Sequence, residues 1–184
     1  PIEAAMMAAN MAPGMNRSFL AESWTHIISR KEWYACMDEA AELVDFSQMP
    51  DIQGYDIDDE MVRIARENAK LAGVEQYIHF QRRGIEALSH PKKYGFIITN
   101  PPYGERLEEK EALPKLYKEF GDAFKNLDSW SAYMITSYEE AERYFGRKAD
   151  KNRKIYNGML RTYFYQFQGP RPPRKTVREQ GMAL

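Results

Sequence analysis

The chain has 184 residues, 43% apolar and 29% charged, with a net charge of −1. That is one domain's worth of sequence, it can bury a sizeable core, and it excludes a wholly disordered chain. A lone cysteine, Cys36, excludes an internal disulfide framework and argues against a cysteine-held metal cluster.

Within WYACM, Cys36 reads as a partly buried small apolar residue. No apolar run reaches the length of a membrane span and no signal-like segment occurs, so a cytoplasmic protein is expected. The charges are unevenly spread. Residues 143–178 hold eleven Lys and Arg against one acid, Asp150, whereas residues 32–60 hold ten acids and no Lys or Arg. The basic segment, with Tyr144, Tyr156, Tyr163 and Tyr165 among its cations, fits either a polyanion partner such as nucleic acid or a solvated face with a charged tail.

Residues 2–9 place Ile2, Ala5, Met6 and Ala9 on one helical face, and Pro13-Gly14 breaks that helix. A second helix is predicted at about 30–44. IQGYDI, 52–57, reads as a short strand running into a helix capped by Asp58, with a stripe of Met61, Ile64, Ala65, Ala69 and Ala72 and a stop at Gly73. Strands follow at about 77–82 and 94–99. In the latter, consecutive Phe96, Ile97 and Ile98 predict burial on both faces.

A helix is predicted at about 113–126, with Pro114 near its start and Leu116, Phe120, Ala123 and Leu127 facing inward. SAYMITS, 131–137, reads as a strand, and Ser137 with Glu140 as the capping box of a helix ended by Gly146. Asn157-Gly158 predicts a hairpin between aromatic-rich arms. Alternating strands and helices with a closing hairpin define an α/β fold, mostly parallel, with an antiparallel end. Residues 1–169 form the folded domain, and the basic Pro-rich stretch 170–184 is expected to be a flexible tail.

Ligands in open α/β sheets sit beyond the carboxyl ends of strands, where Asp56 and Asn100–Tyr103 fall. Asp56 fits two roles, a turn former or an acceptor for ribose hydroxyls. ITNPPYGERL, 98–107, likewise reads as a strand-ending turn or as a binding corner. Each proline restricts the residue before it to extended geometry, so the Asn100 amide and Pro101 carbonyl can be held as two fixed acceptors beside the Tyr103 ring. Such a pair suits a planar group bearing an NH₂. Accepting both N–H bonds lets a delocalised amine pyramidalise and aim its lone pair at an electrophile.

GYDID at 54–58, ITNPPYGERL, the hairpin at 157–158 and the stretch 1–24 resemble class I S-adenosylmethionine-dependent methyltransferases. More narrowly, they resemble bacterial ribosomal RNA guanine-N2 methyltransferases that carry a THUMP RNA-binding domain. The resemblance implies a seven-stranded Rossmann-like sheet and S-adenosylmethionine as cofactor. It implies that Asp56 binds the cofactor ribose and Ile57 packs on the adenine. Asn100 and Pro101 would hold the target amine, and Tyr103 would stack on an extruded base.

Two departures accompany the resemblance. The family's first strand and glycine-rich loop lie before the residues matching Pro1, so a longer protein is expected to contain this chain. Where the family places an acid for the adenine amine, this chain has Gly84, with backbone groups of Gly84 and Ile85, or the Glu86 side chain, as substitutes.

The expected function is methylation of guanine N2 in 23S ribosomal RNA, with 143–178 as a candidate RNA contact. The alternatives are adenine-N6 methylation of DNA or RNA, and a non-catalytic RNA-binding module. Arg106 fits a local ion pair or a phosphate contact.

Overall fold

The computed structural model describes residues 1–104 and 107–173, so Arg106 and the end of the expected tail, 174–184, lie outside the described residues. The chain divides into two compact units, Pro1–Gly84 and one beginning at Ile85. Among the described residues six strands form two sheets, of two and four strands. Among the described residues no helix is long and apolar enough to cross a membrane.

The first unit begins with α1 (Ile2–Ala8) and α2 (Arg30–Glu42). Ser29 caps α2: its hydroxyl accepts from Glu32 N–H, and the Glu32 carboxylate accepts from Ser29 N–H. Helix α2 buries no residue, and Cys36 is exposed rather than partly buried, because it lies off the side of the helix on which Trp33, Met37 and Ala40 are half-buried. Then β1 (Ile52–Asp56), α3 (Asp59–Leu71) and β2 (Ile78–Arg82) form a β–α–β unit.

The two strands run parallel, with Ile52 opposite Ile78 and Asp56 opposite Arg82. Asp58 caps α3 by accepting from Glu60 N–H at 2.8 Å. The predicted stripe of α3 is rotated: Val62 and Ala69 are buried and Ala65 partly so, while Met61 and Ile64 face solvent. Val62 joins Ala5, Val74, Ile78 and Phe80 in the core because the one-residue shift puts its face, not that of Met61, over the two strands.

The second unit contains β3 (Phe96–Thr99), α4 (Leu107–Lys125), β4 (Ser131–Thr136), α5 (Ala141–Phe145), β5 (Lys151–Asn157) and β6 (Leu160–Phe167). Strand order is β3-β4-β6-β5: β3 and β4 are parallel, and the other two pairings antiparallel. One face of this sheet carries Ala132, Met134, Tyr165 and Phe167, which share a core with Leu113, Tyr117, Phe120 and Phe124 of α4 and Phe145 of α5.

Four expectations are corrected here. Phe96 and Ile98 are 67% and 77% exposed, so β3 is not buried on both faces. It is the end strand of its sheet, and the helices cover only the face to which Ile97 points. Pro114 lies inside α4, which begins at Leu107. Ser137 and Glu140 form no capping box: Tyr138 N–H bonds the Thr136 hydroxyl at 3.0 Å and makes a turn there, α5 begins only at Ala141, and Glu140 pairs with Arg143. The hairpin loop is Gly158-Met159, one residue later than read, since Asn157 pairs with Leu160 and Gly158 takes φ 62° as the first loop residue.

Burial raises the Tyr117 hydroxyl above the usual tyrosine range, and Tyr165 shifts the same way for the same reason. The folded state therefore holds neutral phenols that ionise more readily when unfolded. Stability is fully present below the ordinary tyrosine value, about pH 10, and is lost as pH climbs above it. Urea titrations should give a flat midpoint from pH 7 to 9 and a falling one beyond about pH 10. Tyr117→Phe should flatten that fall; an unchanged pH profile in the variant would refute the assignment.

Candidate active site

The second unit builds the Asn-Pro-Pro-Tyr corner at the carboxyl end of β3. Asn100 is exposed, and its side-chain oxygen accepts a hydrogen bond from the Tyr103 hydroxyl at 2.5 Å. The Pro101 carbonyl has no hydrogen-bond donor among the described residues. The corner leaves through Gly104, buried at φ 75°, where an added Cβ would lie 2.7 Å from Leu113 Cδ1. Both the backbone conformation and the close approach to α4 require glycine there.

Sequence reasoning missed the support beneath the corner. Tyr117, 1% exposed, shares a 2.6 Å hydrogen bond with the Thr136 hydroxyl and donates a long one, 3.4 Å, to the Pro102 carbonyl. The Tyr117 ring also lies 5.1 Å from that of Tyr138. The available signal was the α4 stripe Leu113, Tyr117, Phe120, Phe124, at helical spacing, which makes Tyr117 the polar member of a buried face.

The first unit holds a second group of expected residues. Asp56 ends β1 exposed, and one carboxylate oxygen accepts from Asp58 N–H at 2.9 Å, so the turn-forming role is present. Its carbonyl accepts from Arg83 N–H at 2.8 Å, and the Ile57 carbonyl from Arg82 Nε at 2.9 Å. These bonds fix the segment on which Asp56 and Ile57 stand. Gly84 follows two residues after β2, at the same carboxyl end of the strand pair.

A carboxylate acceptor next to an Ile57 side chain 69% exposed fits the ribose hydroxyls and flat base of a nucleoside. Ile85 opens the second unit, where its side chain packs on the α4 core and its carbonyl accepts from Leu88 N–H at 3.1 Å. The structure thus brings Asn100 and Tyr103 into contact in one unit, and gathers Asp56, Ile57 and Gly84 at one strand end in the other. Among the described residues no cluster of His, Cys, Asp or Glu could hold a metal ion.

A parallel β–α–β unit with an acid at its strand end, and an Asn-Pro-Pro-Tyr corner between the strands of a second parallel pair with a closing hairpin, are the features of an α/β fold whose solved neighbours are methyltransferases. The chain belongs to the RMKL-like methyltransferase domain family (UPF0020), whose model matches residues 1–166.

It is 45% identical over 175 residues to YpsC of Bacillus subtilis (strain 168), covering 95% of this chain and 45% of that protein. It is 34% identical over 173 residues to the "Ribosomal RNA large subunit methyltransferase K/L" of Syntrophotalea carbinolica, covering 90% of this chain and 24% of that one. Among solved structures, SMU.472 in complex with SAH superposes with a TM-score of 0.87 at 42% identity, over 94% of this chain and 45% of that one. A Listeria monocytogenes "predicted N6-adenine-specific DNA methylase" gives 0.85 at 41% identity, over 92% and 43%. The chain therefore spans less than half the length of each of these relatives.

Proposed function

We propose that this chain is the catalytic part of an S-adenosylmethionine-dependent RNA methyltransferase acting on the exocyclic amine of a base, guanine N2 of 23S ribosomal RNA. The observation that carries this reading is the bond from the Tyr103 hydroxyl to Asn100. In that bond the Asn100 oxygen, rather than its NH₂, accepts a donor from the Tyr103 side of the corner, a place an incoming N–H could take.

The ribosomal RNA substrate is supported by the K/L relative's name, and the length those relatives have beyond this match leaves room for the RNA-binding THUMP domain that the resemblance implies. S-adenosylmethionine, when bound, supplies an electrophilic methyl group; Asp56 would accept from its ribose hydroxyls and Ile57 would pack on its adenine, which backbone groups of Gly84 or Ile85 would also contact.

The chain's own residues act on the amine. The Asn100 oxygen and the Pro101 carbonyl accept its two N–H bonds, which withdraws the nitrogen lone pair from the ring and points it outward. The Tyr103 hydroxyl must leave Asn100 for this to happen, and its ring is then available to stack on the base, a contact of about 1–3 kcal/mol. The prolines and Tyr117 keep both acceptors in place, so little reorganisation accompanies the reaction. No strong base is needed before attack, since the amine proton leaves after the nitrogen becomes cationic.

Full-length protein with methyl-labelled S-adenosylmethionine and protein-free 23S RNA should yield N2-methylguanosine on digestion. N6-methyladenosine would instead establish the reading that the Listeria relative's name favours. Absence of transfer by the full-length protein would overturn the proposal.

Tyr103 offers a finer check. Tyr103→Phe keeps the ring and frees the Asn100 oxygen, so the maximal rate should stay within a few-fold of wild type while KM for RNA falls or holds. Tyr103→Ala also loses the stack, and kcat/KM should drop about tenfold or more. Equal activity of the alanine variant would remove Tyr103 from the site.

A further inference from the structure

The cations of residues 143–178 are not equivalent. Arg143 pairs with Glu140, and Arg147 with Asp150 and the Gln168 carbonyl, so both are spent within the fold. The hairpin differs. In its register Lys154 lies opposite Tyr163, and Tyr156 opposite Arg161. Alternation puts all four side chains on one face of β5 and β6.

Cations and rings alternate there like squares of a board: Lys154 Nζ lies 5.3 Å from the Tyr156 ring centroid, and the Arg161 guanidinium 5.7 Å from that of Tyr163. Tyr156 is 62% exposed, although it is large and aromatic. Arg161 also meets Glu139 at 2.7 Å, which leaves Lys154 as the freer charge.

The location matters as much as the composition. Tyr163 pairs in register with Thr136, whose hydroxyl holds Tyr117 beneath the Asn-Pro-Pro-Tyr corner. The board thus lies on the same face of the sheet as that support, with Lys154 two strand spacings, about 10 Å, from Thr136.

We propose that this face of the β5–β6 hairpin is the platform for the single-stranded RNA next to the target base. Lys154 would contact a phosphate and Tyr156 would stack on a base, with Arg161, paired with Glu139, and Tyr163, packed on the core, supporting them from the neighbouring strand. The inference rests on the RNA substrate proposed above. It narrows the contact to Lys154 and Tyr156 and excludes Arg143 and Arg147, whose charges are paired within the fold. A charged edge strand also keeps other chains from pairing with it. That role predicts self-association of a neutralised variant, and no change in RNA affinity.

The test uses full-length protein and protein-free 23S RNA, with affinity followed from low to high KCl. Lys154→Gln should lower the log–log salt slope by about one. Lys154→Arg should restore it. Tyr156→Leu should weaken binding about tenfold at constant slope. Arg143→Gln should change neither quantity. Thermal melting identifies any variant that fails to fold, and the arginine variant then carries the comparison. If the wild type transfers no methyl group to RNA, the functional proposal fails and the platform falls with it. If the wild type does transfer while Lys154→Gln and Tyr156→Leu bind as it does, the platform alone is overturned.

Discussion

Asn100→Ala leaves the fold standing and removes methyl transfer, with an expected loss in kcat of about 10²–10³-fold or more. The reason is geometric. Asn100 is exposed beyond β3, and its side chain has one partner among the described residues, the Tyr103 hydroxyl. Truncation therefore costs stability no more than an ordinary surface change, within about 0.5 kcal/mol.

Catalysis loses one of two fixed acceptors, so the amine lone pair stays in the ring. Asn100→Asp keeps an oxygen in the same place and should retain a measurable fraction of the rate. Single-turnover transfer to RNA, alongside chemical denaturation, separates the two effects. A rate within a few-fold of wild type for the alanine variant would show that the corner does not hold the reacting nitrogen.

Phe145→Ala should destabilise the protein by about 3–5 kcal/mol, the usual cost of deleting a buried ring. Phe145 is 1% exposed and meets three rings, Phe120 at 5.0 Å, Phe124 at 5.5 Å and Phe167 at 4.2 Å between centroids. It also sits where α5 touches the backbone of α4: a Cβ on Gly121 would come 2.0 Å from the Phe145 carbonyl oxygen.

The cavity left by the ring cannot close by sliding α5 inward, because the two backbones already meet. Gly121→Ala should destabilise for the complementary reason, by forcing them apart. Urea unfolding monitored by circular dichroism reads both. A midpoint for Phe145→Ala close to that of wild type would contradict this packing.

Local rules were legible wherever a segment decides its own conformation. Asp58 caps α3 because its side chain needs only the next turn. The Asn-Pro-Pro-Tyr corner leaves β3 as read, since proline restricts its neighbours whatever lies around them. The hairpin formed from its glycine, one residue off in loop position. Errors arose where a distant partner decides.

The run Phe96-Ile97-Ile98 looks doubly buried, but which faces of β3 are covered depends on α4, not on the run. Pro114 looks like a helix start because proline suits a first turn; here the stripe through Leu113 and Tyr117 binds α4 to the sheet strongly enough to tolerate it inside. The S-x-x-E spacing occurs at Ser29 and at Ser137, yet only the first forms a box, because Thr136 claims the backbone after β4. Asn100 and Tyr103, three residues apart, stand out by their chemistry, and the structure brings their side chains into contact. Tyr117 and Thr136, 19 residues apart in sequence, do not stand out, because only the fold brings them together.

On the proposed mechanism, the two oxygens of the corner would also act as a filter on chemical damage. A base that has lost its amine by deamination presents a carbonyl where the N–H bonds would be. Its lone pairs would then face the Asn100 oxygen and the Pro101 carbonyl. A site built around hydrogen-bonding groups can refuse such a misfit by about 10⁴–10⁵-fold without a separate editing step. The Tyr103 hydroxyl, already on Asn100, would stay where it is. A methyl mark placed through this corner would therefore certify that the nucleotide beneath it is intact.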